Sequence, residues 1–212
     1  SGNPQKVQRY PWDWAKGLKQ MAALNARTLC PGHGAPTVDN PDKVRNILLE
    51  TASILDQIVE RTLAAMAKGA PPHTDIVHMV ELPTSSSPWL QPIYDEAEFI
   101  VRNIIRYYGG WWNGRPSDLK PASRSALAQE LAQMAGGPHA LIARAAAIAA
   151  TGDMRLACHL ADYAMEAAPG DPEVNGAVAK LYETRAAGES SLMSESLYKS
   201  AAVYARGGRP FV

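Results

Sequence analysis

Tyr94-Asp95-Glu96-Ala97-Glu98-Phe99 and, seven residues on, Arg106-Tyr107-Tyr108-Gly109-Gly110-Trp111-Trp112-Asn113-Gly114-Arg115-Pro116 frame the stretch that decides the fold. It holds two of the five Trp and three of the eight Tyr. Its start reads as a capped helix: Asp95 as cap, Glu98 three residues on, and Tyr94 with Phe99 as a hydrophobic staple. Ala97, Ile100, Val101, Ile104, Ile105 and Tyr108 then fall on one apolar face at helical spacing. Gly109-Gly110 ends the helix, because glycine tolerates a positive-φ exit. An aromatic pair follows in a Gly/Pro-rich loop. Large rings on a loop need a cover, either the chain's own body or a partner. On residue physics alone, an ordinary packed loop after a helix end is an equally open reading.

The Tyr-Gly-Gly-Trp-Trp-Asn-Gly-Arg-Pro run, followed by Leu119 and Pro121, resembles the dimerisation domain of the alkyl sulfatase family. The resemblance implies a loop of Tyr108, Gly110, Trp111, Trp112, Asn113, Gly114 and Pro116 at a dimer contact or a substrate entrance.

Composition sets the outer bounds. The chain has 212 residues, with 21 basic and 21 acidic side chains. That balance gives no electrostatic case for nucleic acid or for an acidic membrane surface. No apolar run approaches the roughly 20 residues that span a bilayer. Ser1-Gly2-Asn3-Pro4 carries neither an initiator Met nor a signal-peptide pattern. It reads as a cut end, so it does not give the compartment. Cys30 and Cys158, only two and far apart, fit reduced thiols and a cytoplasmic rather than secreted setting.

Upstream, Tyr10-Pro11-Trp12-Asp13-Trp14 opens a predicted helix to about Asn25, with Trp14, Leu18 and Met21 on one side. Arg27 to Cys30 is a short strand candidate that runs into Pro31-Gly32-His33-Gly34-Ala35-Pro36. Glycines around a His on a tight turn suit the presentation of a metal ligand. The order of Trp, helix, strand and this turn resembles the end of a metallo-β-lactamase fold. That resemblance implies His33 as a ligand of the second metal in a two-zinc site. The superfamily's His-x-His-x-Asp-His motif is absent from this chain. His73, His78, His139 and His159 show no ligand spacing and read as structural or solvent-facing.

Asn40-Pro41 is a strong helix start. Val44, Ile47, Leu48, Thr51, Leu55, Ile58, Val59, Thr62 and Met66 keep helical spacing to Lys68-Gly69. Thr74 is a candidate cap for a short helix to Leu82, and Thr84-Ser85-Ser86-Ser87-Pro88 reads as a linker whose serines have no catalytic context. From Ser123 the chain is Ala-rich and helical. Leu127, Leu131 and Met134 are expected to face inward, followed by helices over Leu141–Ile148, Asp153–Ala168, Val174–Tyr182 and Glu189–Ala202. Gly152, Ala157, Ala161, Ala164 and Pro169 match small and Pro positions of a tetratricopeptide repeat, where two helices cross closely. Only about one and a half repeats are visible, against the roughly three an independent solenoid needs.

The expected fold is therefore mainly α: the end of a metallo-β-lactamase αβ/βα fold, then an all-helical, tetratricopeptide-like dimerisation domain. Residues 1–83 are assigned to the first part, 84–206 to the second, and 207–212 to a tail. The resemblance implies a fragment of a zinc-dependent hydrolase of alkyl sulfate esters, inactive alone. Its partners would be a second copy, the N-terminal metal-binding part of the same protein and a small ester substrate. In the complete enzyme two zinc ions would polarise the ester and an acid would protonate the leaving alkoxide. Leu90 and Tyr94 match a Leu-x-x-x-Tyr pattern of these relatives, which implies that Tyr94 hydrogen-bonds the sulfate or the leaving group. The alternative is a tetratricopeptide-like helical interaction module with no catalytic duty.

Overall fold

The computed structural model describes residues 2–32, 34–69, 75–209 and 211. All named elements among them are helical. They fall into two compact units, residues 1–115 and 116–212.

In the first unit, α2 (Pro41–Ala67) is the central post. Asn40 caps it by accepting the Lys43 N–H at 3.0 Å, with Pro41 at the first helical position. Val44, Leu48, Ala52, Leu55, Ile58 and Thr62 form its buried stripe. Thr62 is satisfied inside the helix, since its hydroxyl donates to the Ile58 carbonyl at 2.6 Å. Against α2 pack α1 (Pro11–Ala23) and α4 (Ala97–Gly109), and the single turn α3 (Ile76–Met79) touches α2 and α4. The core joins Ala15, Leu55, Ile58, Ile76, Val101, Ile104 and Ile105.

Several expectations change here. α1 turns Pro11, Ala15 and Ala22 inward and leaves Trp14 and Met21 exposed. Small residues allow it to lie close to α2, so the larger side chains point away. The strand expected at Arg27–Cys30 reduces to one antiparallel bridge between Leu29 and Thr37, with N···O distances of 2.8 and 2.9 Å. A single bridge has no neighbour among the described residues from which to grow a ladder. α3 stops at Met79 rather than Leu82, because Val80 is already extended; Thr74 lies outside the described residues. The cap of α4 is Glu96, not Asp95. The Asp95 carboxylate instead accepts from the Glu96 N–H and the Gly2 N–H, both at 2.8 Å.

The Ser/Pro stretch is docked rather than free. Glu50 on α2 accepts from the Ser87 hydroxyl at 2.5 Å and from Trp89 Nε1 at 3.0 Å. With α4 also packed on α2, the contact boundary falls at Arg115/Pro116 instead of the 83/84 break suggested by composition.

The second unit is a set of five helices: α5 (Arg124–Ala135), α6 (Pro138–Ala150), α7 (Met154–Ala167), α8 (Pro172–Ala187) and α9 (Leu192–Arg206). Side-chain caps start four of them: Ser123, Asp153, Asp171 and Ser191. Gly136, at φ 92° and ψ 19°, makes the left-handed exit between α5 and α6. The core mixes alanines (Ala145, Ala157, Ala161, Ala164, Ala179) with Leu141, Ile148, Val174, Val178 and Tyr182. α5 reverses the expected orientation: Ala128 and Ala132 are buried, whereas Leu127 and Met134 are exposed. Leu156 on α7 is also exposed. In both cases the close helix crossing admits alanine and excludes the longer side chain.

Candidate functional site

The expected site residues sit on and after α4. Tyr107 and Tyr108 close that helix, and Gly110 takes φ 80° and ψ −160°. Non-glycine residues essentially never occupy that region, so Gly110 sets the direction of the aromatic loop. In the loop Trp112 Nε1 donates to the Arg115 carbonyl at 3.0 Å, and Asn113 Oδ1 accepts the Arg115 N–H at 3.0 Å. Gly114 supplies a second positive φ, 80°. Pro116 opens a short 3-10 turn, Pro116–Leu119. Trp111 is 71 % exposed, the most exposed tryptophan of the chain.

Tyr108 belongs to a surface group of rings that the sequence reading did not assemble. Its centroid lies 4.9 Å from Tyr107, edge to face, and 5.6 Å from Trp12. Tyr107 is 4.9 Å from Trp12 and 5.4 Å from Tyr10. The Tyr107–Tyr108 and Tyr107–Tyr10 pairs are T-shaped, a favoured aromatic geometry, and the two pairs with Trp12 are tilted. Backbone strapping holds the two halves together. The Gln8 side-chain amide donates to the Asn103 carbonyl on α4 at 3.0 Å. Gly2 is packed so closely on the start of α4 that a Cβ there would lie 2.5 Å from Phe99 Cβ. The aromatic run Tyr10-Pro11-Trp12 was the available signal, but nothing local shows that it pairs with residues some 95 positions later.

Tyr94 stands on the surface, 43 % exposed, just before α4. His33 lies outside the described residues, as does His73. The flanking backbone is described: Leu29 and Thr37 form an isolated antiparallel bridge. Among the described residues no three His, Cys, Asp or Glu side chains gather as a metal cage. Of the remaining histidines, His139 is tied to Asp171 through Nε2 at 2.8 Å. Helix-cap hydrogen bonds, Val174 first, and this histidine hold the Asp171 carboxyl below its ordinary range.

A second group of titratable side chains lies in the helical unit. The Tyr182 hydroxyl donates to Asp162 Oδ1 at 2.5 Å. Tyr182 stacks on Tyr198 at 5.9 Å, and Arg185 lies 5.3 Å over the Tyr198 ring while pairing with Glu189 at 2.6 Å. Burial pushes the Asp162 carboxyl up, against the lowering effect of the Tyr182 bond. Burial, then the Asp162 charge, pushes the Cys158 thiol up to about 11. A thiol held that high is a poor nucleophile at neutral pH. These groups satisfy one another and read as structural.

The chain belongs to the alkyl sulfatase dimerisation family, whose model matches residues 73–208. It is 31% identical over 160 residues to a linear primary-alkylsulfatase of Pseudomonas sp. (strain ATCC 19151), covering 74% of this chain and 30% of that protein. It is 24% identical over 171 residues to an (R)-specific secondary-alkylsulfatase of Pseudomonas sp., covering 80% of this chain and 26% of that protein. The solved stereoselective inverting sec-alkylsulfatase Pisa1 from Pseudomonas sp. shares the fold, with a TM-score of 0.88 over 98% of this chain and 33% of that one, at 23% identity. A double mutant of the same sulfatase gives 0.86 over 97%. The chain thus spans about a third of the length of the relatives it matches.

Proposed function

We propose that this chain is the dimerising C-terminal portion of a zinc-dependent, metallo-β-lactamase-fold hydrolase of alkyl sulfate esters. In that reading it supplies the subunit contact, a wall of the substrate entrance and one metal ligand, His33. The observation that carries it is the 31% identity to a linear primary-alkylsulfatase across three quarters of the chain. The aromatic group at Tyr10, Trp12, Tyr107 and Tyr108 suits the apolar part of an alkyl ester; Tyr94, at the other end of α4, would hydrogen-bond the sulfate or the leaving group by its resemblance to the family pattern alone. Half-exposed rings offer apolar area with little entropy to lose on binding. The remaining metal ligands would come from the N-terminal part of the protein.

The test uses the protein made from its full reading frame. Expected are about two zinc ions per subunit and hydrolysis of a linear alkyl sulfate, with His33→Ala losing about one zinc and at least tenfold in rate. A metal-free protein without sulfatase activity overturns the hydrolase reading. Unchanged zinc content in His33→Ala overturns the ligand assignment alone.

The Trp loop has a separate expectation. Trp111→Ala is expected to weaken self-association by roughly 2 kcal/mol or more, the level of an interface hot spot. Sedimentation from micromolar to nanomolar protein reads this directly. A variant that stays dimeric at nanomolar concentration removes Trp111 from the subunit boundary.

A further inference from the structure

We infer that Asn113-Gly114, in the aromatic loop, is a self-modification site that converts to aspartate and isoaspartate, while the identical pair Asn175-Gly176 in α8 stays intact. The inference is independent of the function proposed above. These are the two Asn-Gly pairs of the chain. Asparagine is thermolabile because the next backbone nitrogen can attack its side-chain amide, and a glycine there puts no Cβ in the way. The two pairs share this chemistry and differ in their setting, so the structure decides between them.

Asn113 and Gly114 lie outside any helix, and both are partly exposed. Asn113 Oδ1 accepts the Arg115 N–H at 3.0 Å. That turn folds the side-chain amide back along the Asn113–Gly114 peptide bond, beside the nitrogen that attacks. The same hydrogen bond puts a donor on the oxygen where negative charge gathers as the nitrogen adds to Cγ. No backbone carbonyl among the described residues accepts the Gly114 N–H. At Asn175 each of these conditions fails. Asn175 is 5 % exposed, and its Nδ2 donates to the Pro169 carbonyl at 2.8 Å. Gly176 lies inside α8, where helical geometry commits its N–H to the carbonyl four residues back. Asn175 can react only when this part of α8 opens, and opening exposes the fully buried Val174 and Val178.

Water is the only co-reactant the conversion needs. Gly114 N loses its proton to solvent and bonds to Asn113 Cγ. The Cγ–Nδ2 bond breaks, and Nδ2 takes a proton from solvent and leaves as ammonia. Water then opens the succinimide at Cγ to give aspartate, or at the main-chain carbonyl to give isoaspartate. The isoaspartyl form adds a carbon to the backbone between Trp112 and Arg115. The bond from Trp112 Nε1 to the Arg115 carbonyl, 3.0 Å long, spans this segment, so the loop's own clasp is what the modification disturbs.

The experiment incubates the full 212-residue chain at mildly alkaline pH, native and in concentrated urea. Peptide mapping, with fragmentation that separates aspartate from isoaspartate, follows both pairs. The urea sample supplies the intrinsic rate of each pair, by which its native rate is divided. The expected native result is a gain of about 1 Da at Asn113. Its corrected rate should exceed that of Asn175 at least about tenfold, since helix opening must precede reaction at Asn175. A corrected preference below about tenfold overturns the assignment. So does an Asn113 that stays intact in the native chain while the urea sample converts.

Discussion

Tyr182→Phe is expected to destabilise the helical unit by about 2–3 kcal/mol at pH 7, and by clearly less at pH 4. The substitution removes the hydroxyl that donates to Asp162 Oδ1 at 2.5 Å and leaves the ring in place. What remains is a mostly buried carboxylate without that donor, and bonds to charged groups carry about 1.5–3 kcal/mol. The pH dependence follows from the direction of the shift. Burial already holds the folded-state carboxyl of Asp162 above its ordinary value, and the Tyr182 bond is what limits the rise. Between the unfolded and the folded value the native state binds the extra proton, so this group makes stability fall as pH rises through that window. Below the unfolded value the carboxyl is neutral in both states and the penalty vanishes. Removing Tyr182 lifts the folded value further and widens the window.

Asp162→Asn keeps an acceptor for the Tyr182 hydroxyl and removes the charge. It is expected to be neutral or stabilising at pH 7 and to flatten the pH slope. A double-mutant cycle measured by urea unfolding at both pH values separates this pair from the nearby Glu166, whose carboxyl burial also pushes up. A Tyr182→Phe penalty that does not change with pH would mean that the carboxyl is better hydrated than its burial implies.

The capping chemistry made much of the fold legible. Asn40-Pro41, Asp153 and Asp171-Pro172 each mark a helix start that the structure keeps, because a short polar side chain before an apolar periodic run satisfies the orphan N–H groups directly. The Tyr-Gly-Gly-Trp-Trp loop was equally visible, since only glycine accepts the backbone at Gly110. Orientation in the Ala-rich part was not. In Arg124–Ala135 alanine and leucine both count as apolar, so period alone supports two opposite faces. Crossing distance decides between them, and it favours Ala128 and Ala132. The ring cluster was hidden for a different reason. Its halves, Tyr10 with Trp12 and Tyr107 with Tyr108, meet because α1 and α4 both pack on α2 and because Gln8 and Gly2 hold the leading segment along α4. Nothing in either segment specifies the other.

That dependence on α4 leads to the second large effect. Ile104→Ala is expected to cost the first unit about 2–5 kcal/mol, the range for removing a fully buried aliphatic side chain. Ile104 is fully buried in the cluster with Ile58, Val101 and Ile105. Tyr108 follows it by one helical turn, so a cavity at Ile104 loosens the base on which the rings stand. Ile104→Val removes a single methyl group and should cost only about 0.5–1.5 kcal/mol. Calorimetry and near-ultraviolet circular dichroism together read the two consequences. The lower-melting transition should belong to the first unit, shifted down by something on the order of 10 °C in Ile104→Ala. The aromatic dichroism should weaken before any helix is lost, because ring packing depends on the position of α4 and not on its helicity. If instead helicity and aromatic signal vanish together, α4 has no stability apart from the cluster. The aromatic site would then be a property of the whole unit rather than of one well-anchored helix.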